Sequence, residues 1–217
     1  MASTPSLTLW YSPQASSIAP HILLLESGLQ FELALAEVNM AQDGGFTGDF
    51  KAVNPKKRIP VLKFKDEIIT EGSAIATMIS SLAPDHKFFG ETVLDAVRVY
   101  EWFNYLSGDV HGQAFGLAMR PSRAVEDPAL QAAVREKALK NLKQEFTFIE
   151  GKLRSSGTSF AVGNSFTAAD AYLFVLYRWA KGTIKTLEAE SPYLSAWAGR
   201  MLERKAVRSA LEVHTGV

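Results

Sequence analysis

Residues Arg58–Ile75 read RIPVLKFKDEIITEGSAI. RIPVLKF and EIIT are short apolar runs split by a turn at Lys65–Glu67, the pattern of a β-hairpin. The second run passes directly into TEGSAIATMISSL, whose apolar residues recur at helical spacing. Two junctions in this strand-strand-helix unit stand out. Proline cannot donate to a ladder, so Pro60 at the opening of a strand needs an edge position or a special turn. A trans edge proline is the commoner answer; a cis Ile59–Pro60 bond also meets the need, although only about 5–6% of X–Pro bonds are cis. The cis form would expose the Ile59 backbone to pair with an extended peptide, as an added strand does. At the second junction the free N–H groups of a helix start could hold a carboxylate while Glu71 holds an ammonium. Alternatively, Ser73 caps the helix and Glu71 complements its dipole.

Upstream, Leu7–Tyr11 predicts a strand and Ile18–Ser27 a helix ended by Gly28. Phe31, Leu33 and Leu35 alternate with Glu32 and Ala34, which predicts a second strand with one buried face. QDGGFTGDF, residues 42–50, reads as a polar glycine-rich loop. The order βαβ, an irregular stretch, then ββα makes a sheet covered by helices. Pro84–Gly90 reads as a linker. From Glu91 onward strand signals vanish. Val93, Val97, Tyr100 and Phe103 recur at helical spacing, and Leu130, Val134, Leu142, Phe146, Ile149 and Leu153 mark one long amphipathic helix. Ala168–Ala180 is apolar on nearly every side, as a helix inside a bundle must be. Pro192–Arg204 and Ala206–Val213 supply the last helical pieces. The reading is a small α/β domain over residues 5–86 and an all-helical bundle over 91–217.

Composition narrows the chemistry. The 217 residues are 47% hydrophobic and 21% charged, ordinary for a globular protein. Lys plus Arg and Asp plus Glu are both 23, so the formal net charge is zero. That balance argues against nucleic acid or an anionic membrane surface as partner. No apolar run approaches the roughly 18 residues of a membrane helix. MASTPSLTLWYSP lacks a basic start followed by an apolar core, so no secretion signal is expected and a cytoplasmic home is. The absence of cysteine removes disulfides, zinc-thiolate sites and cysteine nucleophiles together. Histidines at 21, 86, 111 and 214 follow no metal-binding spacing, so no metal is expected.

Two further strings carry information. WYSPQASSIAPHILLLESG, Trp10–Gly28, hands a strand to a helix through the paired hydroxyls Ser16 and Ser17. They either cap the helix or hold something anionic. In SFTAAD, Thr167 and Asp170 have capping-box spacing directly before the buried helix, a structural role worth about 0.5–2 kcal/mol for the cap alone.

YSPQASSIAPH, AVNPKKRIPVL, TEGSAI, EWFNYLSGDVH and FTAADAYLFVLYRWA, in this order, resemble the glutathione S-transferase family across essentially the whole chain, most closely its bacterial beta-type branch. The resemblance implies a thioredoxin-like N-terminal domain with cis-Pro60, a helical C-terminal domain, and a homodimer that binds the tripeptide glutathione as co-substrate. It implies that Ile59 pairs with the cysteinyl part beside Pro60. Glu71 would meet the γ-glutamyl amino group, with the Gly72 and Ser73 N–H groups near its carboxylate. Asn104 and His111 look like the beta-type residues at the second-domain wall, Asn104 reaching the partner subunit's site. Three departures matter. Many relatives carry serine where Gly72 stands. The basic residue common after the histidine is here Gly112. Ser16 stands where the beta-type branch has cysteine.

A hydroxyl at position 16 cannot form a mixed disulfide with glutathione, but it can donate a hydrogen bond to a thiolate. A free thiol has pKa about 8.5, and lowering it by two takes about 2.7 kcal/mol. One or two hydrogen bonds to a charged group, about 1.5–3 kcal/mol each, suffice. Ser16, then Ser17, then the Tyr11 phenol are the candidate donors. The expected activity is transfer of glutathione to a small hydrophobic electrophile, in a pocket between the domains lined by Tyr11 and residues near Phe115–Met119. A glutathione-dependent isomerase, dehalogenase, ether-cleaving or secondary-metabolism enzyme is the alternative, and a non-catalytic binding or scaffold protein the third reading.

Overall fold

The computed structural model describes residues 7–36, 38–39, 45–46 and 50–215. In the first unit, β1 (Leu7–Tyr11) leads through a tight loop into α1 (Ile18–Ser27), which Gly28 ends at φ 67. That left-handed conformation is open to glycine without a Cβ penalty. β2 (Glu32–Leu35) follows, then a short antiparallel pair, β3 (Val38–Asn39) with β4 (Gly45–Phe46), and α2 (Phe50–Val53). β5 (Val61–Phe64), β6 (Glu67–Thr70) and α3 (Gly72–Leu82) complete the expected hairpin and helix. The main sheet has the order β2-β1-β5-β6, with β1 parallel to β2 and the other neighbours antiparallel. This is the mixed four-stranded sheet of a thioredoxin-like unit.

Two local expectations change. Within the span read as a loop, Gly45–Phe46 is paired as β4 and α2 begins at Phe50; residues 42–44 and 47–49 lie outside the described residues. The alternation in β2 does not bury Leu35, which is 55% exposed. β2 is an edge strand, where fewer neighbours are available to cover a side chain.

The second unit begins with α4 (Val93–Tyr105), which runs into a ten-residue π-helical segment, Leu106–Phe115, and the short α5 (Gly116–Met119). The long α6 (Pro128–Ser156) buries Ala138, Leu142, Phe146, Ile149 and Leu153, while Leu130 is exposed. α7 (Ala168–Thr183) is buried continuously from Ala168 to Tyr177. α8 (Leu187–Glu190), α9 (Pro192–Glu203) and α10 (Lys205–Thr215) end the chain. In α4 the buried side is Val99, Trp102 and Phe103, so the apolar stripe Val93, Val97 and Tyr100 faces solvent. By its contacts the chain divides into residues up to Glu91 together with those from Leu202 onward, and Thr92–Met201. The last helix, read from sequence as part of the bundle, packs on α1 instead. A local pattern shows that α10 has an apolar stripe, made of Ala206, Val207 and Ala210, but not which surface covers it.

The capping box before α7 carries more than a cap. Asp170 is fully buried and accepts from the Thr167 N–H and hydroxyl, from the Ala161 N–H at 2.7 Å and from the Trp197 indole at 2.8 Å. Burial pushes its carboxyl up, opposed by these four donors. Asp170→Ala would orphan several buried donors together, so a loss of about 3–5 kcal/mol is expected in denaturant unfolding, partly recovered by Asp170→Asn. An unchanged midpoint in the alanine variant would deny the network its structural role.

Candidate functional site

Strand register assembles the site. Trp10 pairs with Val61, and Val61 with Thr70, so one row crosses three strands. The next residue on each strand, Tyr11, Pro60 and Glu71, therefore lies at the same end of the sheet. The Ile59–Pro60 bond is cis, the form the resemblance implies and not the commoner trans form. Ile59 packs with Trp10 and Val53 against the buried cluster of Ala36, Phe50 and Val61. Ahead of it, buried Asn54 shapes the loop. Its Nδ2 donates to the Arg58 carbonyl at 2.7 Å, and its Oδ1 accepts from the Lys56 N–H at 3.1 Å. Asn54–Pro55 is a turn-forming pair whose signal was present in the sequence and went unread.

Neither paired serine caps α1. Ser17, the residue before the helix, makes no side-chain cap bond. Its hydroxyl accepts from the Ser12 N–H at 3.2 Å and donates to the Ser12 carbonyl at 3.3 Å, closing the loop that leads into α1. Ser16 is 8% exposed and donates a long 3.4 Å bond to the Ile59 carbonyl. The fold thus brings Ser16 and Ile59 together across 43 residues of sequence. The Tyr11 and His214 rings meet in a T-shaped contact, centroids 5.0 Å apart.

Glu71 has φ 72 and ψ 127, a backbone state that a non-glycine residue rarely adopts. Such strain persists where surrounding structure over-determines it and clusters at ligand sites. Here the β5–β6 ladder holds Thr70 on one side, and the Ile75 N–H bonds the Glu71 carbonyl at 2.9 Å on the other. Glu71 makes no side-chain cap bond to α3, so its carboxylate points away from the helix start. It pairs with the Lys56 ammonium, which also donates to the Thr70 hydroxyl at 2.6 Å. Lys56 was missed from sequence because its partner lies fifteen residues away, on another element. Gly72 and Ser73 open α3, and a Cβ on Gly72 would meet nothing within 4 Å.

In the second unit Asn104 is exposed on α4, and its carbonyl accepts from the Ser107 hydroxyl at 3.3 Å. His111 sits in the π-helical segment, its Nδ1 2.7 Å from the Tyr172 hydroxyl and its ring 5.0 Å from that of Trp179. Buried Phe115 meets the Trp179 and Phe146 rings edge-on, and Met119 is exposed. The segment also explains Gly112. A Cβ there would stand 2.9 Å from the Ser107 carbonyl oxygen, too close for any side chain without a backbone shift. Among the described residues no group of three His, Asp or Glu is placed to hold a metal ion. No described helix is long and apolar enough to cross a membrane.

Family models described as glutathione S-transferase N-terminal and C-terminal domains match residues 15–82 and 109–205. The glutathione S-transferase GstA of Escherichia coli O157:H7 is 32% identical over 94% of this chain and 97% of its own. The chain belongs to the glutathione S-transferase family. Among solved structures, a sphingomonad glutathione S-transferase complexed with glutathione superimposes with TM-score 0.80 at 31% identity, covering 95% of this chain and 98% of that one. A Sulfitobacter glutathione transferase homologue with bound glutathione reaches TM-score 0.86 at 25% identity, covering 97% of this chain and 99% of that one.

One titration is built into the first unit of this chain. His21, 2% exposed on α1, lies between Phe31 and His214, with centroids at 5.6 and 5.3 Å. Burial, helped by His214, lowers its pKa from 6.5 to about 4. Because the unfolded chain binds the proton more readily, this group's contribution is full above about pH 6.5 and is lost as pH falls toward 4. Thermal stability should therefore fall over that window, with about 3 kcal/mol at stake. His21→Leu should flatten the slope; equal slopes in the two proteins would put the titration elsewhere.

Proposed function

We propose that Ser16 activates the thiol of bound glutathione for attack on a small hydrophobic electrophile. The observation that carries this reading is the Ser16–Ile59 contact, which sets the hydroxyl beside the backbone expected to pair with the cysteinyl residue. When the cysteinyl N–H takes the Ile59 carbonyl, the Ser16 hydroxyl is released to donate to the sulfur. Ser17 is a poorer candidate, since its oxygen both donates to and accepts from Ser12. Tyr11 follows, its ring packed on His214. At the other end of the tripeptide, the γ-glutamyl ammonium displaces Lys56 from Glu71 while its carboxylate meets the Gly72 and Ser73 N–H groups.

Exposure of Val93, Val97 and Tyr100, 85%, 54% and 39%, supports a homodimer through α4, with Asn104 one turn further along that face. In this reading the enzyme acts in the cytoplasm. A non-catalytic family member that no longer captures glutathione is the second reading. It is favoured by the Lys56 pairing at Glu71 and the missing hydroxyl at position 72, both of which weaken capture of the ligand.

Retention on immobilised glutathione with turnover of an aryl halide separates the two. In the catalytic reading Ser16→Ala loses about 10- to 100-fold in kcat, the worth of one hydrogen bond to a charged group, with little change in Tm. Full activity in that variant would move the role to Ser17 or Tyr11. Gly72→Ser enters open space at a helix start, and calorimetry should find glutathione bound severalfold more tightly. Weaker binding would remove the α3 start from the carboxylate site.

A further inference from the structure

The loop that carries Ser16 is held from the far end of the chain. Its Ser12 carbonyl accepts from the Ala15 N–H and the Ser17 hydroxyl, both at 3.3 Å. The third donor is the imidazole of His214, Nδ1 at 3.3 Å, which must carry its proton there because a carbonyl only accepts. The same residue's main chain holds the loop again, its carbonyl accepting from the Gln14 N–H at 3.2 Å. Gln14 has φ 59, a left-handed conformation that a side chain disfavours and that needs outside support. His214 is 1% exposed, and the Tyr11 ring packs against it in a T-shaped contact. The helix that delivers it is anchored on α1. Arg204, just ahead of α10, makes a bidentate pair with Glu26 at 2.7 and 2.9 Å. Below that pair, Ala206, Val207 and Ala210 are buried.

We propose that His214 is a positioning residue for thiol activation: its ring N–H fixes the Ser12–Ser17 loop so that Ser16 faces the sulfur. This rests on the reading of Ser16 given above. His214 touches no reacting atom. It acts through the loop, and the glutathione backbone and headgroup contacts at Ile59, Glu71, Gly72 and Ser73 do not depend on it.

The test uses the full chain and four variants, His214→Phe, His214→Asn, Ser16→Ala and the Ser16→Ala/His214→Phe double variant. Each is read for Tm, glutathione Kd, kcat with an aryl halide, and the pKa of bound glutathione from thiolate absorbance. Phenylalanine keeps the ring packing and removes the donor; asparagine keeps a donor near Nδ1 and removes the ring. Expected for His214→Phe is a kcat about tenfold lower and a bound thiol pKa higher by about one, with Kd within about twofold. His214→Asn should recover most of both, and the double variant should be no slower than Ser16→Ala alone. A His214→Phe enzyme with native kcat and native thiol pKa overturns the inference while leaving Ser16 in place. So does a parallel fall of kcat, affinity and Tm that asparagine does not rescue, which is the mark of a packing residue only. Should Ser16→Ala itself run at the native rate, the thiol-activation reading fails, and the role of His214 through Ser16 falls with it.

Discussion

The register of three strands governs everything built at the head of this sheet. Because Trp10, Val61 and Thr70 stand in one row, Tyr11, Pro60 and Glu71 leave the sheet at one level, and the three loops that follow or precede them converge. A slip of one residue between β5 and β6 would turn Glu71 to the other side. The register is fixed from below by the cluster of Ala36, Phe50 and Val61, against which both Ile59 and Trp10 pack. Hydrophobic packing thereby sets the position of polar groups that contribute little to stability themselves.

At that level the site has two halves with different physics. Around Glu71 the groups are exposed: the carboxylate is 69% accessible and its Lys56 partner 50%. An ion pair so placed contributes little to folding and is readily exchanged for a ligand's ammonium. Around Ser16 the groups are buried, and hydrogen bonds are few and directional. The exposed half suits capture of a charged headgroup, and the buried half suits tuning of a sulfur in a low-dielectric setting. The serine hydroxyl fits the second task alone, since an oxygen donates a hydrogen bond but supplies no disulfide.

Much of the architecture was legible because its signals are local. The hairpin around Lys65–Glu67, the stop at Gly28 and the capping box at Thr167–Asp170 each rest on residues within a few positions of one another. The site was legible in its members more than in its wiring. Ser17 reads as a helix cap from its place before Ile18, yet its hydroxyl is spent five residues back, on Ser12. Lys56 and His214 carry no local mark at all, since their partners lie 15 and 202 residues away. The exposed stripe of α4 was visible as a stripe, but periodicity does not say whether an apolar face meets its own chain or nothing within it.

Gly112 shows how a missing residue can be a consequence of backbone geometry. The Gly116 N–H bonds the His111 carbonyl, five residues back, so the helix here is wound in π turns. That winding brings the Ser107 carbonyl to within 2.9 Å of where a Cβ at 112 would stand. A basic side chain after His111 and this winding are therefore mutually exclusive, and the absence of one follows from the presence of the other. π segments of this length are rare, and they distort the spacing of the side chains they carry. Here the compensation is visible at His111, whose ring is seized by Tyr172 and flanked by Trp179.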